Sequence, residues 1–140
     1  MTTGVGITGS SIANNTLLAI GLKKQKISNG LAFKYTYVEK NQGGFFDRNN
    51  VYKYRDRGVL LMRGFYRDKR IILVGAGLSQ LKGDYHLQQK TVKTLSVPIE
   101  IHFIYAFSPI MGIGMNLYAS LNGEHSYFGA GLNISFGKLK

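Results

Sequence analysis

The C-terminal part of the chain alternates apolar residues with small or polar ones. From residue 111 to 121 the apolar residues stand at odd-numbered positions, and from 128 to 136 they stand at even-numbered positions. A period of two places successive side chains on opposite faces of a β-strand. The pattern therefore predicts a hairpin of two long strands within Ile110–Lys140, with residues 123–126 as its turn.

Runs of the same kind occur throughout the chain, which contains about eight of them. Besides the final hairpin, they cover about residues 4–12, 17–27, 31–40, 58–67, 70–81 and 95–107. Turn-forming residues separate several runs, notably Ala13-Asn14-Asn15-Thr16, Ser28-Asn29-Gly30 and Asp68-Lys69. Pro98 lies inside the sixth run and predicts a bulge or a strand end, because proline has no N–H for the ladder.

The two faces of these strands are unusual. The apolar face is long and continuous, whereas the opposite face is too polar and too rich in glycine for an ordinary packed core. This arrangement favours an apolar outside and a polar inside, as in a membrane barrel. The residues predicted to face lipid are Ile101, Phe103, Met115, Leu117, Leu132, Ile134 and Phe136. Those predicted to form a polar network in the lumen are Glu100, His102, Arg63, Lys34, Asn116, Tyr118, Asn133 and Ser135.

The lengths of the connections alternate. They are very short after the second, fourth and sixth strands and long after the third and fifth, at Asn41–Arg57 and Lys82–Thr94. An up-and-down barrel in a membrane has tight turns on one side and longer loops on the other. In lipid an open sheet edge would leave unpaired backbone groups, so the sheet must close. The sequence therefore predicts an all-β, eight-stranded antiparallel up-and-down transmembrane β-barrel, a single domain over residues 1–140.

Aromatic residues fall near both predicted rims, as interfacial girdles would. Those near the short-turn rim are Tyr66, Tyr105, Phe107 and Phe136; those near the long-loop rim are Tyr35, Tyr37, Tyr118 and Phe128. All except Tyr118 are predicted to point outward.

Composition is compatible with this interpretation without requiring it. The 140 residues include 44% hydrophobic ones, and no stretch approaches the roughly 18 consecutive apolar residues of a spanning helix. The absence of cysteine excludes disulfides and thiolate metal sites. The net charge of +11 favours an anionic partner. The cations are dispersed over loops and rims with no nucleic-acid module, so we expect no nucleic acid and consider lipopolysaccharide phosphates or solvent around the loops.

The segments GIGMNLYASLN (112–122) and GAGLNISFGK (129–138) resemble the last strands of small eight-stranded outer-membrane β-barrels of Gram-negative bacteria, the OmpA/OmpX-like class and its uncharacterised members. The resemblance covers most of the chain as a pattern. It implies an outer-membrane location and contact with the barrel assembly machinery. In that family a terminal aromatic ends the last strand, whereas here Phe136 is followed by Gly137–Lys140.

Export to an outer membrane requires a signal. Residues 1–10 have neither a basic segment nor an apolar one of the signal-peptide kind, so we expect the signal to precede Met1 or to have been removed. A soluble, lipocalin-like barrel would need no signal, so this feature of residues 1–10 favours that alternative.

Candidate chemistry is sparse. Glu100 and His102 share a strand face and could support acid–base chemistry or hold a metal, but an interior ion-pair network explains them better. Glu124-His125-Ser126 is interpreted as an exposed turn. The glycine runs alternate inside strands and open no helix, so they are not phosphate loops. We expect no catalytic residue, no metal and no cofactor.

The function predicted is non-enzymatic: a monomeric outer-membrane protein with a structural, adhesive or surface-binding role carried by its long loops, surrounded by outer-membrane lipid and lipopolysaccharide. Two alternatives stay open. One is a soluble, lipocalin-like barrel with its apolar faces turned inward around a ligand. The other is a lipid-A-modifying barrel enzyme using His102 or His125.

Overall fold

The barrel wall consists of eight β-strands. The computed structural model describes residues 2–8, 11–24, 26–41, 51–85, 90–123 and 126–139. The strands are β1 (Thr2–Thr8), β2 (Ser11–Lys24), β3 (Ile27–Asn41), β4 (Val51–Arg67), β5 (Arg70–Tyr85), β6 (Lys90–Ala106), β7 (Met111–Leu121) and β8 (Tyr127–Phe136). Each strand pairs antiparallel with the next, and β1 pairs antiparallel with β8, which closes the barrel. The predicted all-β architecture with antiparallel strands is confirmed.

The described ranges contain no helix that is long and apolar enough to cross a membrane.

The interior of the wall is polar and its exterior is apolar. Among the described side chains, twelve buried residues are polar or charged and ten are hydrophobic, whereas 28 large hydrophobic residues are exposed. This is the reverse of a soluble protein, in which burial selects apolar side chains. Of the residues predicted to face outward, Phe103, Met115, Leu117, Leu132, Ile134 and Phe136 are exposed and Ile101 is partly exposed.

Strand β4 has the opposite orientation from the predicted one. Leu60 and Met62 are buried, while Leu61 and Arg63 are exposed. The reason lies in the facing strand, because Gly75 stands opposite Met62 and a Cβ atom at Gly75 would overlap the Met62 sulfur. Glycine on β5 thus makes room in the lumen for large apolar side chains of β4. The prediction that Arg63 faces the lumen is therefore wrong.

The same orientation carries Tyr66 inward. Its ring is partly buried against an apolar cluster of Ile71, Ile104 and Ala106, and its hydroxyl accepts a hydrogen bond from Ser28 Oγ at 3.1 Å. The prediction that Tyr66 belongs to an outer aromatic band is wrong. The other outward aromatics named for the short-turn rim, Tyr105, Phe107 and Phe136, are exposed, as are Tyr35 and Phe128 towards the opposite rim.

Two predicted turns are strand instead. Residues 13–16 lie within β2, and residues 28–30 lie within β3, whose pairing with β2 extends to Lys24 opposite Ile27. Gly30 stands opposite Gly21, and a Cβ atom on Gly30 would collide with the backbone of β2. The Asn-Gly pair therefore marks a close approach of two strands, which is the other common use of glycine in a sheet.

The two predicted long loops are shorter than the sequence indicated. Residues 51–57 belong to β4, and residues 82–85 and 90–94 belong to β5 and β6; residues 42–50 and 86–89 lie outside the described part. These strand extensions carry charged residues outward, so the apolar alternation that identifies a membrane strand is missing from them. Pairing with neighbouring strands nevertheless continues, with Tyr52 opposite Tyr85.

Pro98 neither ends β6 nor introduces a bulge. Pairing of β6 with β5 is interrupted between Ile99 and Ser96 and then resumes in the same register, while Pro98 still stands opposite Ser120 on β7. Because proline has no N–H, backbone hydrogen bonds between β6 and β5 are lost at this point, but β6 contains no extra residue relative to β5.

Residues 137–139 fold over the short-turn end of the barrel, where the connections β2–β3, β4–β5 and β6–β7 lie. Gly137 has a φ of 139°, a conformation that favours glycine, and the chain turns there away from β8. The Gly137 N–H donates to Ile110 O at 3.0 Å, and the Leu139 N–H donates to Pro109 O at 2.9 Å. Leu139 then packs against the apolar cluster around Ile104.

Candidate functional site

A buried lysine organises the polar interior. Lys34 points inward from β3, and its Nζ atom lies 3.3 Å from Asp56 Oδ2 on β4 and 3.3 Å from Glu100 Oε1 on β6. All three side chains are almost completely inaccessible to solvent. A charge removed from water is tolerated only when opposite charges and hydrogen bonds compensate it. Lys34 is therefore the centre of an ion-pair network that joins three strands.

Glu100 extends this network along β6 and to β2. Its Oε2 atom lies 2.8 Å from His102 Nε2, because residues two apart on a strand point to the same side. Its Oε1 atom accepts a hydrogen bond from Asn15 Nδ2 at 3.3 Å. Thr36 Oγ1 in turn donates to Asn15 Oδ1 at 3.0 Å. Both oxygens of the carboxylate are thus occupied by protein groups.

Two tyrosines cover the network from β7 and β8. The Tyr127 hydroxyl donates to Asp56 Oδ2 at 2.6 Å, and the centre of its ring lies 5.8 Å from Lys34 Nζ. Tyr118 meets the Tyr127 ring edge to face, with ring centres 6.3 Å apart and planes inclined at 65°. The aromatic faces supply a low-polarity wall and a cation–π contact for the ammonium group.

Most residues of the predicted lumen set are buried together. Lys34, Glu100 and His102 are in direct contact, while Asn116 and Tyr118 are the cross-strand partners of His102 and Glu100. On β8, the buried Ser135 Oγ donates to Asn133 Oδ1 at 3.4 Å. Arg63 is the exception, because it lies on the outer surface with its guanidinium 5.6 Å from the centre of the Phe65 ring.

Four members of the network were not among the predicted residues: Asp56, Asn15, Thr36 and Tyr127. Asp56 and Asn15 fell in segments interpreted as loop and turn, where their polarity looked like solvation. Strand pairing shows that both lie in strands. Asp56 on β4 and Asn15 on β2 stand opposite Thr36 of β3, one on each side of it. Tyr127 adjoins the predicted turn at residues 123–126. Parity alone would have missed Asp56, because the predicted orientation of β4 placed its even-numbered residues outward.

The arrangement connects opposite walls of the barrel. The network links β2, β3, β4, β6 and β8 across the lumen. Glu100 and His102 are buried, and no group of three or more histidine, cysteine, aspartate or glutamate residues within the described ranges could hold a metal ion. His125, the other candidate for an enzymatic role, lies outside the described residues.

Comparison with known proteins bears on the fold. The sequence matches no protein-family model and no curated protein. Among solved structures, the barrel is similar to Neisserial surface protein A, with a TM-score of 0.59, 12% sequence identity, and coverage of 96% of this chain and 91% of that chain. At this identity the likeness concerns the fold, and it supports the fold of a small outer-membrane barrel.

Proposed function

We propose that the protein is an integral β-barrel of a Gram-negative outer membrane, non-enzymatic, whose hairpins at the long-loop end form a surface for binding or adhesion. The observation that carries the proposal is the reversal of polarity between the interior and the exterior of the wall. Leu132, Leu61 and Phe128 are 74%, 71% and 82% exposed, whereas Lys34 and Glu100 are buried. Such a surface is stable in lipid and unfavourable in water.

The height of the outer apolar belt matches a membrane. On β4 the outward residues Arg57 and Arg67 enclose nine residues, 58–66, and on β5 Arg70 and Gln80 enclose nine, 71–79. A tilted strand needs about 9–11 residues to cross the hydrocarbon layer. Polar residues at both ends of the belt are the expected boundary with headgroups and water.

The hairpins β3–β4 and β5–β6 continue beyond this belt at the long-loop end. Strand β4 extends from Arg57 back to Val51, and β5 extends from Gln80 to Tyr85. At about 3.3 Å per residue, the β4 extension amounts to roughly 20 Å of strand above the belt. The proposed binding surface consists of these paired extensions, held rigid by the hydrogen-bonded sheet beneath them. Residues 137–139, the last ones described, lie at the short-turn end, which the proposal assigns to the periplasm.

Several accompanying expectations belong to the same proposal. The barrel would be a monomer surrounded by outer-membrane lipid and lipopolysaccharide, would be inserted by the barrel assembly machinery, and would bind no nucleic acid. The direction of Met115, Leu132 and Ile134 favours a membrane barrel over a lipocalin-like one, whose apolar side chains would line the cavity. The burial of His102 favours a structural role over lipid-A chemistry.

Membrane fractionation with a matched pair of variants tests the proposal. Leu117→Lys places a charge on the apolar belt, whereas Gln80→Lys places the same charge at its edge. We expect the wild-type protein and Gln80→Lys to remain in the membrane after a carbonate wash and to require detergent for monodispersity. Leu117→Lys should lower the membrane-inserted fraction. A wild-type protein that is monodisperse without detergent would overturn the proposal.

A further inference from the structure

We propose that the outer wall of strands β4–β6 carries a site for a lipid with an anionic, phosphate-bearing headgroup, the phosphates lying on Arg55, Lys82 and Lys93 and an acyl chain in the groove around Ala76. The proposal rests on membrane insertion as proposed above and adds a specific occupant to one side of the barrel.

The first observation is the register of three cations. Arg55 on β4 stands directly opposite Lys82 on β5, and Lys82 stands directly opposite Lys93 on β6. All three belong to the outward set of their strands, with Arg55 and Lys93 exposed and Lys82 partly exposed. Directly opposed residues are about 5 Å apart at Cβ, so the three positions span about 10 Å.

Such a row is unfavourable by itself. Like charges directly opposite each other on neighbouring strands destabilise a sheet. The neighbouring outward cation, Lys53, is not part of such a row. Its register partners are acidic: Glu39 on β3 and Asp84 on β5. Among the described side chains, the ion pairs belong to the interior network around Lys34. In the proposal, the phosphates of the lipid headgroup compensate this row of cations.

Arg57 adds a fourth cation at the edge of the belt. It is exposed, and its guanidinium lies 5.3 Å from the centre of the Tyr35 ring on β3. An arginine held against an aromatic face keeps its donors available, and guanidinium groups bind phosphate in a bidentate manner. The cluster therefore has the chemistry of a phosphate site rather than that of a general basic surface.

The second observation is a mainly apolar groove on the same wall. It has a volume of about 590 Å³, and its lining includes Leu31, Leu61, Ala76 and Ile99, together with the exposed polar residues Asn29 and Arg63. Leu61, Ala76 and Ile99 stand in one cross-strand row, in which the small alanine lies between two large side chains. The floor of the groove is thus at Ala76, in the middle of the belt.

The distance between cluster and groove is suited to a lipid. Lys82 follows Ala76 by six residues on β5, which corresponds to about 20 Å along the strand. The outward residues between them are Leu78 and Gln80, which change from apolar to polar towards the rim. A ligand that bridges both features needs an anionic head at the rim and an aliphatic chain reaching into the belt. A soluble anion would use only the cluster.

Quenching of a single tryptophan tests the site in the membrane-inserted barrel. The chain contains no tryptophan, so Leu78→Trp introduces one reporter between cluster and groove. The reporter protein is reconstituted in phosphatidylcholine vesicles that contain either brominated phosphatidylglycerol or brominated phosphatidylcholine at equal mole fraction. We expect at least about a tenfold preference for the anionic lipid at this position, since each of the three cations favours an anionic lipid severalfold.

Matched variants separate the cluster from net charge. In the reporter background, Arg55→Gln/Lys82→Gln/Lys93→Gln should abolish the preference. Arg67→Gln/Lys69→Gln/Arg70→Gln removes three exposed cations at the short-turn rim and should leave it unchanged. Ala76→Leu should lower the preference by filling the groove, whereas Ala130→Leu, at an exposed alanine of β8, should not.

The outcomes distinguish this site from the proposed function. Equal quenching by the two lipids would overturn the lipid site while leaving membrane insertion intact. An equal loss of the anionic preference in both triple variants would do the same. Quenching by neither lipid would remove the membrane proposal and the site with it. If inorganic phosphate binds the detergent-solubilised barrel through the cluster but the lipids show no preference, the occupant is a free anion and the lipid proposal is wrong.

Discussion

Lys34 Nζ lies 3.3 Å from Glu100 Oε1, although their strands are not hydrogen-bonded to each other. Strands β4 and β5 separate β3 from β6 in the barrel order, so the ion pair crosses the lumen. It connects walls that the backbone ladder joins only indirectly. The interior of this barrel is thus a set of side-chain crosslinks, and its stability should depend on their charge balance.

Removing the central cation should be costly. Lys34→Met leaves Asp56 and Glu100 buried without their shared partner, and we expect a loss of about 3–5 kcal/mol in the free energy of unfolding. Urea unfolding of the barrel in detergent micelles measures the change. Arg70→Met, which removes an exposed cation, should change the free energy of unfolding by less than about 0.5 kcal/mol.

A double-mutant cycle tests the cause of that loss. If charge imbalance is responsible, Lys34→Met/Glu100→Gln should be more stable than Lys34→Met alone, because the second substitution removes one uncompensated carboxylate. Additive losses in the double variant would instead show that the two residues act independently and would contradict the crosslink.

The contact between Gly75 and Met62 should limit substitution on β5. Gly75→Ala would drive a Cβ atom into the Met62 sulfur, and overpacking of this kind costs about 1–3 kcal/mol. Shortening the partner in Gly75→Ala/Met62→Val should restore part of the loss. Gly123 has no atom within 4 Å of an added Cβ, so Gly123→Ala serves as the control. Thermal unfolding compares the four proteins, and equal effects at both glycines would refute the contact.

Arg63 should reduce stability in a bilayer because it interrupts the apolar belt. A charge on the lipid face costs about 2–4 kcal/mol at the midplane and about 0–1 kcal/mol near an interface. Arg63 lies one residue from the middle of the belt segment 58–66, and its contact with Phe65 offsets about 0.5–1 kcal/mol of this cost. We expect Arg63→Leu to stabilise the barrel by about 1–3 kcal/mol in unfolding experiments from vesicles. The reverse change at a neighbouring belt position, Leu61→Arg, should destabilise it, and a loss of stability in Arg63→Leu would contradict its placement.

The C-terminal tail should contribute to closure of the short-turn end. Leu139→Ser removes a partly buried apolar side chain from the cluster around Ile104 and should cost about 1 kcal/mol. Lys138→Ser, at the exposed neighbouring position, should have no effect. Amide hydrogen exchange gives a second measurement, because the hydrogen bonds from Gly137 and Leu139 should open faster in Leu139→Ser. Unchanged exchange at both amides would show that the tail is held without the leucine.

Much of this fold is evident in the sequence, because a period of two is a local property. The final hairpin is the clearest case: Met115, Leu132 and Ile134 alternate with small or polar residues, and that alternation alone predicts two strands with an apolar outer face. Clean alternation likewise predicts the inward direction of Glu100 and His102. Predictions from glycine were the least reliable. Asn29-Gly30 has the composition of a turn, but it lies within β3 where β2 and β3 approach closely.

The tertiary structure decided what alternation leaves ambiguous. On β4, apolar residues occupy both parities, so the direction of Arg63 and Met62 depended on the space left by Gly75 across the strand boundary. Asp56 joined the ion-pair network because β4 continues past its apolar segment, and hydrogen bonding to β3 and β5 extends a strand regardless of side-chain polarity. The sequence by itself determined the alternation of faces, which depends on neighbours along the chain. Only the closed barrel decided which distant side chains share the lumen, because their proximity depends on register between strands.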